Sequence, residues 1–104
     1  MTVAEIKALL VSVDPGVQRY EHDHTGGESY TVWHDYGDLD LYGDGREEGS
    51  IRFQVDRFTK DEDDAIAQAL KTTLRAQDDI TVIYRSDYEK DTGYIHHIYD
   101  CEGI

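Results

Sequence analysis

The sequence predicts one α+β domain: a four- to five-stranded, mostly antiparallel or mixed sheet with two helices packed on it. Two segments carry apolar residues at helical spacing, and five carry the alternation or the β-branched and aromatic enrichment typical of strands. These segments follow one another in the order α-β-β-β-α-β-β. The length of 104 residues suits one domain, and no repeat, low-complexity tract or linker divides it, so we expect a single domain over residues 1–104.

The N-terminal segment predicts a short helix. Thr2 and Glu5 have the spacing of a capping box, in which each side chain bonds a free backbone N–H at the helix start. Apolar residues recur at helical spacing after this box, so we expect a helix over Val3–Val11. An Asp-Pro-Gly turn at positions 14–16 ends it.

Two strands and a long loop are predicted next. Val17–His22 indicates a short strand, and Ser29–Tyr36 is rich in residues that favour strands. The Gly-Gly pair within His24–Glu28 predicts a hairpin loop that joins them. Gly37–Gly49 contains four glycines and several acidic residues, and a loop of this length is often functional or disordered.

The stretch Ser50–Ala76 predicts a strand that leads directly into a helix. Apolar residues alternate with polar ones after Ser50, which is the period of a half-buried strand. The apolar set is Ile51, Phe53 and Val55, and the polar set is Arg52, Gln54 and Asp56. Thr59 and Glu62 then have the spacing of a second capping box, so we expect the helix to begin at Thr59.

The predicted second helix has an acidic beginning and one apolar stripe. Four of the five residues in 60–64 are acidic, which suits the positive end of the helix dipole. Ile66, Leu70 and Leu74 recur at intervals of four and give the face that would pack on the sheet.

The C-terminal part predicts a hairpin. Ile80–Tyr88 and Tyr94–Cys101 indicate strands, and Glu89–Gly93 indicates the turn between them. Hairpins on both sides of the second helix favour a mostly antiparallel sheet. The crossover from the third strand through the helix to the fourth would be right-handed if those two strands run parallel.

The charge excludes some classes of partner. A formal net charge of -13 argues against nucleic acid and against an anionic membrane surface. It is consistent with simple solubility, with a docking face for a basic protein, or with a lining that repels DNA. One cysteine permits no internal disulfide, and neither a membrane-length apolar run nor a signal pattern is present. We therefore expect a soluble protein, cytoplasmic where it is made.

The histidines form a possible metal site. Imidazole suits zinc and iron, and a His-x-His pair beside a histidine on the next strand is a plausible ligand set. The five histidines are His22, His24, His34, His96 and His97. The alternative is that they are structural or surface residues, because nothing in the sequence places the last strand beside the first two.

The acidic loop only partly fits a calcium site. Asp38, Asp40 and Asp44 lie at loop positions of the kind that bind calcium. Counted from Asp38, however, the fifth position is Tyr42 and the twelfth is Gly49, where the EF-hand pattern needs oxygen ligands. A solvated loop is therefore the simpler interpretation.

Catalytic signatures are absent from the sequence. No phosphate loop and no nucleophile elbow is present, and Cys101 lies in a predicted strand, where it is more simply a core or edge residue. We expect no catalytic residues, no cofactor and no enzyme. The last hairpin holds several tyrosines, which suit either an interface patch or cross-strand packing. They are Tyr84, Tyr88, Tyr94 and Tyr99.

Three segments in series form one recognisable pattern. The first is Tyr30–Trp33, which is followed by a polar Gly/Asp-rich interval. The second, Ile51–Lys60, leads into a helix with an acidic beginning, and the third, Asp87–His97, is a terminal hairpin. This series resembles the tail-completion proteins of long-tailed phages and prophages, also called tail terminators or tail-to-head joining proteins. The similarity lies in element order and loose pattern and runs from about residue 2 to residue 99.

The resemblance implies a structural protein without catalysis, folded as a small α/β sandwich. Members of that family form a ring, typically of six copies, on the last ring of the tail tube, stop tube growth and present a surface to the head connector. The implied partners are other copies of the chain, tail-tube proteins and head-connector proteins, without direct nucleic acid binding or a membrane. The implied location is the host cytoplasm during assembly and then the virion tail.

Two other functions stay open. A small acidic binding module of the inhibitor or immunity type would dock on a basic protein as a monomer or dimer and would not form a ring. A metal-dependent enzyme or sensor would use the histidines.

Overall fold

The computed structural model describes residues 1–21, 28–36 and 50–104. Those residues form two helices and one five-stranded mixed sheet, so the predicted α+β class and element order are confirmed. The elements are α1 (Val3–Val13), β1 (Gln18–Arg19), β2 (Tyr30–Asp35), β3 (Ile51–Thr59), α2 (Ala65–Arg75), β4 (Ile80–Tyr88) and β5 (Ile95–Gly103). Among them, no helix has the length and apolarity needed to cross a membrane.

The sheet has the spatial order β1-β2-β3-β5-β4. The β2–β3, β3–β5 and β5–β4 pairs are antiparallel, and β1 pairs with β2 in parallel. β3 and β4 therefore run in the same direction, but β5 lies between them. The connection through α2 is a split β-α-β unit, in which the final strand inserts into the gap that the crossover leaves.

The predicted hairpin between the first two strands is wrong. Gln18 is the partner of Val32 and Arg19 is the partner of Trp33 in a parallel ladder, whereas a hairpin joins antiparallel strands. Residues 24–27 of the predicted loop lie outside the described residues. A Gly-Gly pair indicates a turn but does not set the direction in which the chain leaves it. The first strand is also shorter than predicted, because Tyr20 adopts a left-handed backbone conformation (φ 75) that turns the chain out of the strand.

The first helix confirms its predicted cap. The Glu5 backbone N donates to Thr2 Oγ1 at 3.1 Å, and the Thr2 backbone N donates to Glu5 Oε1 at 2.8 Å. These hydrogen bonds lower the pKa of Glu5. The helix runs two residues further than expected, to Val13, and Asp14 forms its C-cap.

The second helix begins later than the sequence predicts, at Ala65 with Asp64 as its N-cap. Thr59 cannot cap it, because Thr59 is the last residue of β3 and its hydroxyl accepts a hydrogen bond from the Asp61 backbone N at 3.1 Å. The carboxylate of Asp64 accepts instead from the Ala67 backbone N at 2.9 Å. The predicted Thr59–Glu62 capping box is therefore wrong.

Both helices pack on the same face of the sheet, which we call the helix-covered face. Ile6 and Leu10 of α1 and Leu70 and Leu74 of α2 are at most 1% exposed there. The sheet residues in this core are Trp33, Phe53, Val55, Ile80, Tyr99 and Cys101. They alternate along their strands, which confirms the period-2 prediction for β3.

Residues with the opposite parity form the helix-free face. Strand register places on it Tyr30, Val32 and His34 of β2, Arg52, Gln54, Asp56 and Phe58 of β3, Thr81, Ile83, Arg85 and Asp87 of β4, and His96, Ile98, Asp100 and Glu102 of β5. Most of these side chains are exposed or half-buried. The domain thus has two layers, one of helices and one of sheet.

Candidate interaction surfaces

The edge strand β4 is one candidate surface. It is nine residues long and lies at the end of the described sheet, with β5 on its inner side. Ile83 is 70% exposed and Tyr88 is 59% exposed. A long edge strand with exposed apolar residues is a template for pairing with another chain, because its outer backbone groups can join a further ladder.

The edge at the other end of the sheet, formed by β1, is much shorter than the β4 edge. There β1 covers β2 over only two residue pairs. The Arg19 guanidinium lies over the rings of Tyr20 and Trp33, at 4.9 Å and 5.3 Å, and its Nε donates to Asp35 Oδ1 at 3.1 Å. This contact raises the pKa of Arg19, while the pKa of Asp35 stays lowered despite its partial burial. Tyr20 is 62% exposed, so the described part of this edge presents an aromatic ring beside an arginine.

A stack of aromatic rings crosses the helix-free face. Tyr30 and Phe58 stack with their centroids 4.7 Å apart, and Phe58 and His96 stack at 4.1 Å. Tyr94 meets the edges of this stack at 5.8 Å from Tyr30 and 6.0 Å from Phe58. The stack follows from the register, which places Tyr30, Phe58 and His96 side by side on three neighbouring strands.

A buried carboxylate lies next to this stack. Asp56 is 7% exposed, although the alternation of β3 places it on the helix-free face. His96 Nε2 lies 2.7 Å from Asp56 Oδ1, and the Gln54 amide donates to the same oxygen at 2.9 Å. Glu89 lies on the other side of the imidazole, 3.8 Å from His96 Nδ1. These partners satisfy the Asp56 carboxylate, which explains why it is tolerated at low exposure.

The helix-covered face holds a second ionic cluster. Arg57 is 4% exposed, and its guanidinium donates to both carboxylate oxygens of Asp64, at 2.8 and 3.1 Å. It also donates to Thr31 Oγ1 at 3.2 Å and lies 3.6 Å from Asp14. Although burial alone would raise it, the pKa of Asp64 is lowered, because Arg57 and the Ala67 N–H bond the charged form. This cluster ties β3 to the end of α1 and the start of α2, so its role is structural.

A cleft of about 390 Å³ lies beside α2. Tyr84, His97 and Lys71 line it together with the acidic residues that precede the helix. Tyr84 Oη and His97 Nδ1 are hydrogen-bonded at 2.7 Å, and Lys71 Nζ lies 4.1 Å from the centre of the Tyr84 ring. Burial lowers the pKa of His97, with the positive charge of Arg57 among the further causes. Tyr84 thus bonds His97 and is covered by Lys71, and no chemical step follows from these contacts.

The histidines are not brought together in the described part of the chain. His34 and His96 share the helix-free face, but their partners on β3 are Gln54 and Phe58. These partners are four residues apart along the strand, which is about 13 Å. His97 lies on the helix-covered face. Residues 1–21, 28–36 and 50–104 contain no group of three or more His, Cys, Asp or Glu side chains that could hold a metal. His22 and His24 lie outside these residues.

The remaining predictions have mixed outcomes. Cys101 is 3% exposed in the core, and burial raises the pKa of its thiol to about 12, so it is a packing residue rather than a nucleophile.

Tyr84 and Tyr99 are cross-strand partners on the helix-covered face, whereas Tyr88 is exposed at the edge. The Tyr94 hydroxyl donates to the Glu28 carbonyl at 2.7 Å. The Asp38, Asp40 and Asp44 loop, within Gly37–Gly49, lies outside the described residues.

Sequence reasoning missed both ionic clusters. Asp56 and Arg57 are adjacent in a strand, where alternation predicts that one faces the core, and no motif marks either one. An arginine on the core side of a strand was the available signal, because a buried guanidinium needs carboxylate partners.

The fold and these surfaces define a class: a two-layer α+β domain whose described residues expose two dissimilar sheet edges and one helix-free face. Comparison with known proteins does not narrow this class, since no family model and no curated protein matches the chain.

Proposed function

We propose that the chain is a tail-completion subunit of a long-tailed phage or prophage. It assembles as a ring, typically of six copies, that caps the tail tube and joins it to the head. It acts through its surfaces and not through catalysis. Its partners are copies of itself, the tail-tube protein and the head-connector protein, first in the host cytoplasm and then in the virion tail.

The observation that carries this proposal is the pair of dissimilar edges on one small sheet. A ring built by rotation about one axis needs heterologous contacts, in which one surface of a subunit meets a different surface of its neighbour. The long edge β4 and the short edge β1 lie at opposite ends of the sheet and meet this requirement. The two-layer α+β architecture also agrees with the small sandwich that the resemblance implies.

The charge fits passage of DNA through such a ring. A net charge of -13 disfavours phosphate binding, because that affinity requires clustered Lys and Arg. An acidic lumen would let DNA slide past without adhering. The surface potential of the ring lumen, in a solved assembly, tests this part of the proposal.

The mass of the protein in solution tests the ring. Size-exclusion chromatography with light scattering should be run over a range of concentrations, with and without magnesium, and the largest species imaged by electron microscopy. We expect a concentration-dependent closed ring. A strict monomer or dimer under all conditions contradicts the proposal for the free protein and favours the alternative below.

The alternative is a small acidic module that docks on a basic protein, in the manner of an inhibitor or immunity protein. The observation in its favour is the acidic segment before α2, where Asp61, Glu62 and Asp63 are all exposed. Binding of one basic protein by a monomeric chain, weakened steeply by added salt, would support this function.

A further inference from the structure

We propose that the β4 edge pairs with the β4 edge of a second copy about a two-fold axis at Tyr84, so that two copies of the chain share one continuous antiparallel sheet. This inference goes beyond the proposed function, because it concerns the free protein before a ring closes. The occupant of the β4 edge is therefore another copy of the same edge.

The hydrogen bonds around β4 show which of its backbone groups point away from the sheet. In an antiparallel ladder, residues that exchange hydrogen bonds with the neighbouring strand alternate with residues whose N–H and C=O point outward. At one end of β4, Ile104 N donates to the Asp79 carbonyl at 2.9 Å, and at the other end Glu89 N donates to the Tyr94 carbonyl at 2.8 Å. Both bonds continue the β4–β5 register. The odd-numbered residues of β4 therefore bond β5, and the even-numbered residues direct their backbone groups to the outer edge.

The middle of this outer edge is open. The outward backbone groups of Val82, Tyr84 and Ser86 have no hydrogen-bond partner in the described part of the chain. The strand has no bulge and no proline, and Ile83 in its centre is 70% exposed. Short length, bulges and proline are features that protect natural edges, so this edge is available to a further strand.

The two ends of the same edge are already satisfied at their N–H groups. Ile80 N donates to the Gln77 carbonyl at 3.4 Å, and Tyr88 N donates to Asp87 Oδ1 at 3.0 Å. Ile80 and Tyr88 lie at equal distances from Tyr84 along the strand. The open run is thus centred on Tyr84 and is limited in the same way on both sides.

A second copy matches this run because the run is symmetric about its centre. With the two-fold axis at Tyr84, Val82 of one copy lies opposite Ser86 of the other, and Tyr84 lies opposite its own counterpart. Each open N–H then meets an open C=O in the antiparallel sense, which is the more stable pairing. Ile80 of one copy lies opposite Tyr88 of the other, where the N–H groups need no new partner.

The same register covers apolar side chains on the helix-free face. Ile83 lies opposite Arg85 of the second copy, whose aliphatic stem can pack along an apolar neighbour. The two Ile83 side chains also lie diagonally across the axis, within reach of each other. Pairing therefore removes from water apolar area that the free chain exposes.

The charge of β4 permits contact between two acidic copies. Chains that each carry a net charge of -13 repel one another, so a contact forms most readily where the local charge is small. β4 contains one arginine and one aspartate, Arg85 and Asp87, and is locally neutral. An axis at Arg85 would place the two arginines directly opposite each other, which is destabilising, whereas the axis at Tyr84 avoids this.

The pairing has a consequence for the proposed ring. One edge forms only one ladder, so a ring in which β4 meets a different surface of its neighbour has to open the dimer first. A ring contains more copies than a dimer, so rising concentration favours the ring by mass action. The dimer therefore covers the β4 edge at low concentration and yields to the ring as copies accumulate.

The first experiment compares Ser86→Pro with Ser86→Ala by light scattering over a range of concentrations. The Ser86 N–H points outward, so proline removes a donor of the dimer without removing a β4–β5 hydrogen bond, and alanine keeps that donor. We expect the wild type and Ser86→Ala to be dimers at concentrations below ring formation. Ser86→Pro should raise the dissociation constant at least roughly tenfold, because symmetry removes the donor twice. Circular dichroism confirms that each variant is folded.

The second experiment fixes the register by crosslinking and does not depend on the proline variant. Thr81 of one copy lies opposite Asp87 of the other, whereas the two positions are about 20 Å apart along one strand. Thr81→Cys and Asp87→Cys are combined and treated with a short bismaleimide, and buried Cys101 gives little background. We expect the double variant to yield covalent dimers without larger species, and each single variant to yield none.

The remaining outcomes separate this pairing from the proposed ring. A wild type that is monomeric at every concentration below ring formation overturns the pairing and leaves the β4 edge to a strand of a different protein. A Ser86→Pro variant that is as dimeric as the wild type, or a double cysteine variant without covalent dimers, overturns it as well. Dimers that persist at every concentration support the pairing but contradict the proposed function.

Discussion

The two faces of the sheet use the same strand, β3, in different ways. Phe53 and Phe58 lie on that strand with opposite parity. Phe53 is fully buried under the helices and meets Trp33 edge to face, with centroids 6.3 Å apart. Phe58 is half-buried in a stack formed with neighbouring strands and with Tyr94, without cover from a helix in the described part of the chain. The same residue type is thus part of a sealed core on one face and of an accessible surface on the other.

The polar groups of the two faces differ in the same manner. Arg57 on the helix-covered face is enclosed by Asp64, Asp14 and Thr31, which come from three other elements. On the helix-free face, the Asp56–His96 pair is held by residues of the sheet and by the turn that carries Glu89. The first cluster stabilises the packing of helices on sheet, whereas the second leaves its imidazole partly open to a partner. The helices therefore decide which face is structural and which face is available for contacts.

The largest expected difference between the faces comes from truncating the two phenylalanines. Phe53→Ala should lower the free energy of unfolding by about 4 kcal/mol, because it leaves a cavity in a closed core. Phe58→Ala should cost less, about 1.5 kcal/mol, because its half-buried ring loses contact area without leaving a closed cavity. Urea denaturation of both variants measures the two values. Equal losses would mean that the helix-free face is packed as tightly as the core.

The ionic cluster gives the next largest effect. Arg57→Ala should cost about 3 kcal/mol, because it leaves Asp64 and Asp14 buried without their cation. Arg52→Ala is the matched control, since Arg52 lies on the same strand, is exposed on the helix-free face and lies over the Tyr36 ring at 5.8 Å. We expect that control to cost less than about 1 kcal/mol. Similar losses in the two variants would show that the buried cluster contributes no more than a surface arginine.

The success of the sequence in predicting the fold has a physical reason. Alternation along β3 and helical spacing in α1 and α2 are properties of single segments, so they are visible before any tertiary contact is known. The partners of β1 and the end of β3 depend on other elements. Thr59 remained in the sheet because β5 pairs with it through Ile95, and Asp64 became the cap because Arg57 also bonds it. A local capping pattern cannot report such competition.

The contact surfaces could be predicted only in part. The tyrosines of the last hairpin indicated packing or an interface, and the structure divides them between these roles because register places Tyr84 opposite Tyr99 and leaves Tyr88 exposed. That β4 lies at the edge follows from the insertion of β5 between β3 and β4, which is a choice among topologies that share the same element order. Sequence periodicity carries no information on that choice.

Two tyrosine hydroxyls offer a smaller comparison between the faces. The Tyr99 hydroxyl donates to the Ala67 carbonyl of α2 at 2.7 Å within the core, where burial raises its pKa. The Tyr94 hydroxyl makes a bond of equal length to the Glu28 carbonyl beside the aromatic stack. Tyr99→Phe should cost about 1.5 kcal/mol and Tyr94→Phe about 0.5 kcal/mol. Both tyrosines are buried, but the acceptor carbonyl of Tyr94 belongs to Glu28, an exposed residue that water can reach, whereas that of Tyr99 belongs to buried Ala67. Thermal denaturation of both variants measures the difference, and a larger loss for Tyr94→Phe would contradict it.

The smallest expected effect is a pH dependence at the border of the helix-covered face. Burial lowers the pKa of His97 below its ordinary value of 6.5, with Arg57 also disfavouring the charged form and Asp64 opposing this. The unfolded chain then binds a proton more readily than the folded chain, so stability is complete above pH 6.5 and declines as the pH falls toward the folded pKa. His97→Gln should remove a few tenths of a kcal/mol of this decline between about pH 7 and pH 5, because solvent screens a partly exposed imidazole.

Asp64 does not contribute to the decline between pH 7 and pH 5, because its pKa is lowered from 3.8. Its contribution to the free energy of unfolding is lost only at more acid pH. Urea denaturation of the wild type and of His97→Gln at pH 5, 6 and 7 gives the slope of the free energy of unfolding against pH for each protein. Parallel slopes would mean that water reaches His97 as freely as it reaches the helix-free face. The helices would then not shield this end of the sheet, and the contrast between the two faces would end at the row that contains Arg57 and His97.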